Sequence, residues 1–472
     1  MRIVQTFWSA GRDPLKYSFG WTHPEYNLMS WALSCLSLRE HYDEVALYTD
    51  QEGYDVLINK LHLPYTEVNV VYDKNLCLPH HWAYAKIKTY SMQTKPFLHV
   101  DGDVYLPHPI PEEVINAPLV AQNREIGTSY YRSMVDLVLS YPEIIIPEFV
   151  QKGLAEQSVA SYNMGLFGGS DLVFIRRYCQ EVEDFMQANR MNDISERVSR
   201  IDSNVFFEQI LFAAFADSEQ REVASVLGRP INDKGYTARD FCSMHNYYSN
   251  QLFHILGGHK RNVNVQRVLR HFFASKFPDI FARIYELTKG KKQSRIQVFP
   301  FMSKRLQEVI ILFNKFVEQH VQMWFEMDVD SYIKYEASFA GIISNCNDEE
   351  EQNDLTLICN PYLRTYTIQN VLEEDVIQMR RWFHCEENFP LKAVAVFPVL
   401  IISEGYEMEP LLPVDVEIIE VIRHGAYNIN EITKRILVTR NVNEEKSPNL
   451  KRYIKDEIKH LIKSDVIQYF NN

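Results

Sequence analysis

Strand-like and helix-like segments alternate from the first residue of this chain, and that alternation limits the fold more than any other feature. Arg2 to Trp8 is apolar and β-prone, and Tyr26 to Arg39 places Leu28, Trp31, Ala32, Cys35 and Leu36 on one helical stripe. Val45 to Tyr48 then reads as a strand, Glu52 to Leu61 as a helix, Tyr65 to Val71 as a strand and Trp82 to Gln93 as a helix. Such alternation implies an α/β fold with a largely parallel sheet covered on both faces. In these sheets ligands bind outside the carboxyl ends of the strands. The turn-forming loop Ser9-Ala10-Gly11-Arg12-Asp13-Pro14 lies at one such end and is placed to sit under a nucleotide, with Thr6 and Trp8 as candidate contacts on the strand before it.

The run Pro96-Phe97-Leu98-His99-Val100-Asp101-Gly102-Asp103-Val104-Tyr105 brings charge to another strand end. Residues i and i+2 of an extended chain point to the same side, and a glycine between them lets the backbone bend, so that both carboxylates can converge on one cation. Hard oxygen donors suit Mg²⁺ or Mn²⁺, ions that keep positions open for substrate phosphates. An ordinary acidic turn is the plainer reading of Asp-Gly.

Three later segments add chemistry. Ser161 to Ser170 is a strand in which Asn163 and Gly165 stand out, the glycine allowing another group to approach the backbone. Asp202-Ser203-Asn204 marks a helix start, with Phe206, Phe207, Ile210 and Leu211 inward, which leaves Glu208 and Gln209 as a solvated pair. In Phe253 to Arg261, His254 ends an apolar run before Gly257, Gly258 and the basic Lys260-Arg261, a combination that can supply an imidazole ligand and a phosphate-facing cation. Because His254 lies far along the chain from Asp103, only the fold can bring them together.

Composition narrows the class. The 472 residues imply roughly two to four domains. A net charge of −13 argues against general affinity for nucleic acid or anionic lipid, so any phosphate site must be local. Seven scattered cysteines without a C-x-x-C pair fit a reducing compartment. The longest apolar run, Ala393 to Ile402, contains Pro398 and is too short to span a bilayer, and no basic, apolar signal opens the chain. A cytoplasmic protein is expected.

Beyond Asn262 the pattern becomes helical, with one stripe at Val265, Val268, Leu269, Phe272 and Phe273 and another at Val309, Phe313, Phe316 and Val317. A basic linker at Gly290 to Arg295 lies between them, and an acidic loop spans Asn345 to Asp354. The last 80 or so residues read as a hairpin around Glu404-Gly405, helices at Val414 to Arg423, Ile429 to Leu437 and Asn449 to Lys463, and a short strand at Val466 to Phe470. In the third helix Leu450, Tyr453, Ile454, Ile458, Leu461 and Ile462 point inward and Lys451, Arg452, Lys455, Lys459 and Lys463 outward.

Taken together, D-x-D after an apolar strand (Asp101, Asp103), N-x-G (Asn163, Gly165), an acidic residue with Gln on a helix (Glu208, Gln209) and H-x-x-G-x-x-K (His254, Gly257, Lys260) resemble glycosyltransferases of the GT-A fold. The order is similar to the retaining group that includes glycogenin and the lipopolysaccharide galactosyltransferases. A bacterial family with "IVQTFWS" and "HVDGDV" segments is a closer resemblance still, without an assigned activity. The GT-A resemblance implies a Rossmann-type mixed sheet over residues 1–262 and a metal-dependent transfer of sugar from a nucleotide-sugar, most simply a UDP-sugar. Asp101, Asp103 and His254 would hold Mn²⁺ or Mg²⁺, and Lys260 would contact the diphosphate. Gln209 would lie near the reacting carbon, with Glu208 and Asp103 beside it as catalytic candidates. Asn163, Gly165 and Gly257 belong to the donor site, and Lys86 and Lys88 are further candidates for nucleotide contact, at least one of them solvated instead. Arg261-Asn262 replaces the group's usual Pro-Trp, Glu208 its usual Asp, and the group's nucleoside-binding sequence on the first strand is missing.

Residues 263–390 form a helical or mixed region without assigned chemistry. Residues 391–472, with the segment from Glu409 to Leu437, resemble winged-helix-like PqqD domains, which implies a ribosomally made precursor peptide as partner and acceptor. A small helical cap and a DNA-binding winged helix are the alternatives, nucleic acid being disfavoured by the charge. The competing functions are a non-catalytic nucleotide- or peptide-binding protein that keeps the fold, and a nucleotide-sugar hydrolase.

Overall fold

Continuous apolar runs at Ile3, Val4 and Phe7, at Val45 to Leu47 and at Phe97 to Val100 become strands buried on both faces, as a covered parallel sheet requires. In the computed structural model these are β1 (Arg2–Phe7), β2 (Val45–Thr49) and β4 (Phe97–Val100), and with β3 (Glu67–Val70) they run parallel. Residues 1–154, 159–191, 204–228, 230–232, 244–288, 302–340, 355–368, 373–383, 385–386, 388–400, 402, 404–443 and 447–469 are described. The expected helix start at Asp202-Ser203, the Gly290 to Arg295 linker and the Asn345 to Asp354 loop lie outside them. The residues divide into two compact units, Met1–Arg261 and Asn262–Asn472.

The first unit is mixed α/β. Its seven-stranded sheet has the order β3-β2-β1-β4-β7-β6-β8, where β7 (Ala160–Gly169) runs antiparallel to both β4 and β6 (Val120–Ile126), and β8 (Ala224–Ser225) is parallel to β6. The chain moves outward from β1 to β3 and then returns to the other side of β1 for β4. That reversal opens a crevice at the carboxyl ends of β1 and β4, where Thr6 and Asp101 lie.

The Pro24–His41 helix departs from the single stripe expected of it. Leu28, Ala32 and Cys35 are buried, but so are Ser30, Ser34 and Ser37 on another side, while Trp31 and Leu36 are only partly covered. Among the described residues no helix is long and apolar enough to cross a membrane.

In the second unit the hairpin of β12 (Ala393–Val399) and β13 (Gly405–Leu411) is followed by helices Pro413–Arg423, Ile429–Thr439 and Pro448–Lys463 and by β14 (Ile467–Tyr469), the expected order. Ile454, Ile458, Leu461 and Ile462 point inward, but Tyr453 is exposed. The boundary expected at residue 390 falls inside sheets. β11 (Arg364–Thr367) pairs antiparallel with β12, and β10 (Leu357–Cys359) pairs with β14.

A buried ionic cluster spans the same boundary. On the Val263–Lys276 helix, Arg267 donates to Glu407 at 2.7 Å and Glu409 at 3.1 Å, and Arg270 donates to Glu336 at 2.8 Å, Glu407 at 2.9 Å and Asp465 at 3.0 Å. The two ring nitrogens of His271 lie 2.9 Å from Glu336 and 2.8 Å from Asp465. Nε2 is in hydrogen-bond geometry with Asp465, and a ring held between two carboxylates is best served by the charged imidazolium. His460 pairs with Glu409 at 3.2 Å.

Both ends of the pH scale should loosen this cluster. Burial disfavours ionised Glu407, yet Arg270 and Arg267 outweigh it and hold the carboxyl at about 2, against an ordinary 4.5. Its stabilisation is therefore complete above the ordinary value and fades as pH falls through about 2. Burial also disfavours charged His271, but Asp465 and Glu336 raise it above its ordinary 6.5. That stabilisation is complete below 6.5 and fades as pH rises through the raised value. Hydrogen exchange in Val263–Lys276, corrected for the intrinsic rate, should show greatest protection between these limits. Arg270→Leu, which leaves buried carboxylates uncompensated, should cost about 3–5 kcal/mol in urea unfolding. Flat protection across pH together with a cost under about 1 kcal/mol would show that the cluster does not hold the unit.

Candidate metal and anion site

The two aspartates occupy a turn. Val104 donates from its backbone N–H to the Asp101 carbonyl at 3.1 Å, and the chain enters β5 (Val104–Tyr105), which pairs antiparallel with β9 (Phe253–His254). Val104 stands opposite His254, and the Ile255 N–H donates to the Asp103 carbonyl at 3.0 Å. This two-strand ladder is what carries the histidine to the aspartates. One ligand atom from each of Asp101, Asp103 and His254 lies within 4.8 Å of the others. The tight turn Gly257–Arg261 then folds back, with Gly257 at a left-handed φ of 40°, and sets the Lys260 ammonium 2.6 Å from Asp103 Oδ2.

The turn is held from below by a row of serines on the Pro24–His41 helix. Ser30 Oγ donates to the Gly102 carbonyl at 2.8 Å, Ser34 Oγ to the Val104 carbonyl at 2.7 Å, and Ser37 Oγ accepts from the Leu106 N–H at 3.2 Å. Their spacing, i, i+4 and i+7, lays them on one helical face. Gly102 has a steric reason as well as the turn: a Cβ there would come within 2.3 Å of the Trp31 indole.

The His254 ring is held in one orientation. Its Nδ1 lies 2.7 Å from Gln122 Oε1, and the Gln122 amide nitrogen donates onward to Asn123 Oδ1 at 3.1 Å. That chain fixes the Gln122 carbonyl toward the ring, so Nδ1 carries the proton and the Nε2 lone pair faces Asp103 Oδ1 at 3.5 Å. Burial pushes the imidazole down to about 4 despite Asp103, which keeps it neutral. The N-x-G pair explains itself here. A Cβ on Gly165 would meet His254 Cε1 at 2.5 Å, and Asn163 Oδ1 accepts from the Gly165 N–H at 3.0 Å.

Behind Asp101 lies Lys86, 4% exposed. Its ammonium is 2.9 Å from Asp101 Oδ1 and 2.6 Å from Glu208 Oε1, and it donates to the Met164 carbonyl at 3.2 Å. An ammonium has three N–H donors, so Lys86 is spent on the protein and is a counter-ion rather than a nucleotide contact. Lys88 is the partly solvated one, paired with Glu183 at 2.7 Å. Glu208, expected in solvent, is fully buried, because the segment Val205–Ile210 winds as a π-helical turn that directs it under the sheet. Gln209 stays partly exposed and accepts from the Tyr131 hydroxyl at 2.5 Å. Burial raises the Asp101 carboxyl; Lys86 opposes the rise, while Asp103 and Glu208 add to it. Burial acts on Asp103 in the same sense, but Lys260 and then His254 win and lower it. Two carboxyl groups and an imidazole, each with a donor atom within 4.8 Å of the others, form a set that fits a divalent cation.

The remaining candidates sit beneath or beside this group. Thr6 shares hydrogen bonds with Thr89 at 2.6 Å and His99 at 3.0 Å, and Trp8 donates from its indole to the Asp73 carbonyl at 3.0 Å. Both are structural ties of the crevice floor. The loop after Trp8 does border a cleft of about 400 Å³ lined by Ala10, Gly11, Lys74, Asn75, Cys77, Leu78 and Pro79. Sequence reasoning missed the Ser30, Ser34 and Ser37 row, Trp31 and Gln122; the serine spacing was the one readable signal.

A family of unknown function, DUF6734, matches residues 1–287, more than half of the 472. That span takes in every residue of the site. Comparison of the chain with curated proteins finds no match.

Gly165→Ala tests whether the ring position matters. The added methyl must push the His254 imidazole away, so Mn²⁺ affinity measured by calorimetry should fall about 10- to 100-fold while the protein stays folded. An unchanged affinity would show that His254 is not a ligand.

Proposed function

The chain belongs to the DUF6734 family, and we propose that it is a metal-dependent glycosyltransferase that moves a sugar from a nucleotide-sugar, a UDP-sugar first among the donors, to an acceptor. One observation carries the reading: Asp101 and Asp103 of a single turn meet His254 of a paired strand, with Lys260 folded onto them at the switch point of an α/β sheet. The mixed sheet supports the finer GT-A reading, and the cleft beside Gly11 and Lys74 supports a nucleoside site at the carboxyl ends of β1 and β3.

Asp101, Asp103 and His254 would hold Mn²⁺ or Mg²⁺, which when bound supplies Lewis-acid stabilisation for a departing diphosphate. Lys260 adds a point charge on the same phosphate oxygens. Lys86 and Glu208 keep Asp101 aimed at the crevice. Gln209, with its carbonyl taken by Tyr131, presents its amide N–H groups as hydrogen-bond donors beside the donor sugar.

The hairpin, the three helices and β14 support a winged-helix-like, PqqD-like reading of 391–472. β11 fills one side of β12, and β13 ends the described sheet, an edge along which a precursor peptide can add as a strand. Cell products that carry the sugar on free saccharide or lipid, as read by mass spectrometry, would end the peptide-acceptor reading.

A panel of UDP- and GDP-sugars with Mn²⁺ decides the main point. Slow donor hydrolysis is expected, lost in Asp103→Ala and His254→Ala. Gln209→Ala should lower kcat by about 10²-fold with KM little changed, and Lys260→Ala should chiefly raise KM. Binding of donor without turnover would instead favour a non-catalytic nucleotide-binding protein, and Mn²⁺ independence of both ligand variants would remove the site.

A further inference from the structure

The two lysines at the cluster sit on parts of the chain of different burial. Lys86 is buried, with its donors shared among Asp101, Glu208 and the Met164 carbonyl. Lys260 rides on the five-residue turn Gly257–Arg261, none of which is buried, and open space surrounds the positions where Gly257 and Gly258 would carry a Cβ. Its ammonium nonetheless lies on Asp103 Oδ2, one of the carboxylates a cation would need.

Charge makes that placement consequential. Lys86 is shared between Asp101 and Glu208, whereas the Lys260 ammonium lies on Asp103, a carboxylate that a cation would need. A divalent cation alone sets its charge against the Lys260 ammonium across a single carboxylate. In a partly buried site solvent and salt screen that repulsion poorly. A diphosphate reverses the situation, since it brings negative charge and offers the ammonium a new partner within the sweep of one side chain.

Resting on the reading of this cluster as a site for a divalent metal and a diphosphate, we propose that Lys260 is the exchangeable counter-ion of Asp103. It closes the metal position in the free chain and releases it when a diphosphate draws the ammonium away. Metal and diphosphate then bind as a coupled pair, and by linkage each strengthens the other by the same factor. The free chain is thereby protected from holding a metal without its donor.

The test is calorimetry of Mn²⁺ binding to the full chain, with and without pyrophosphate, corrected for the Mn²⁺ that pyrophosphate complexes in solution. In the wild type, Mn²⁺ alone should bind weakly and pyrophosphate should tighten it about tenfold or more. Lys260→Met, which keeps the length of the side chain without its charge, should bind Mn²⁺ alone about tenfold tighter than wild type, with a smaller gain from pyrophosphate. Lys260→Arg should restore the wild-type pattern. A mere loss of a binding residue cannot give tighter metal binding. If Lys260→Met binds Mn²⁺ no tighter than wild type while Asp103→Asn abolishes binding, the counter-ion role is overturned and the metal site stands. If neither wild type nor Lys260→Met takes up Mn²⁺ under either condition, the metal reading falls with it.

Discussion

The ammonium of Lys86 between Asp101 and Glu208 is the interaction on which the first unit's crevice depends. Glu208 is fully buried and Asp101 partly so, on a turn whose backbone is already fixed by Ser30 and Ser34. Without a cation between them, two carboxylates in so little water would repel and shed their charge. Burial alone would also drive the lysine toward its neutral form, but Asp101 and Glu208 outweigh burial and raise it. The pair is also a mechanical tie. It joins the Ala83–Ser91 helix, the end of β4 and the π-helical turn at Val205–Ile210, and Asn204 adds a second tie by capping Ala83 at 3.0 Å. Removing either partner leaves an uncompensated charge indoors, the expensive way to break a buried ion pair.

The sequence exposes some of this arrangement and hides the rest for a physical reason. Alternating segments gave away the parallel core because a strand covered on both faces must be apolar throughout, as Phe97 to Val100 is. Asp101 and Asp103 are legible because their chemistry is local: two acids and a glycine after an apolar run. His254 is not local. What unites it with Asp103 is the pairing of two-residue strands, too short to leave a periodic signal. Only the resemblance of the motif order pointed there. Glu208 was misjudged because charge on a helix ordinarily means water, and a π-helical turn changes the direction of a side chain without changing composition. Trp31 was read as core packing, yet it is only partly buried and acts at Gly102.

The second unit shows the same asymmetry more strongly. Its hairpin, helices and terminal strand follow from local pattern, capping included: Asn428 and Glu431 form a capping box at the helix they precede. Its interior does not. On Val263–Lys276 the apolar stripe was legible, but Gln266, Arg267, Arg270 and His271 are buried as well. The carboxylate partners of Arg267, Arg270 and His271 come from Glu336, from β13 and from Asp465, and no window of local sequence contains them. Those partners also explain why a compositional break near Pro390 is not a structural one: both sheets of the unit and the ionic cluster draw residues from either side of it.

Comparing the two charged clusters suggests where ligand chemistry belongs. The cluster in the second unit sets Glu336, Glu407, Glu409 and Asp465 against Arg267, Arg270, His271 and His460, four acids against four groups able to carry positive charge. Guanidinium has no lone pair to offer, and an imidazolium with a carboxylate at each nitrogen has none either. Such a cluster is complete and can only lock. The cluster of the first unit is different. Two carboxylates of one turn and an imidazole meet there, and one of its two ammoniums rides on a turn none of whose residues is buried. Asp101, Asp103 and His254 are thus a donor set that would fit a ligand, a point that needs no resemblance.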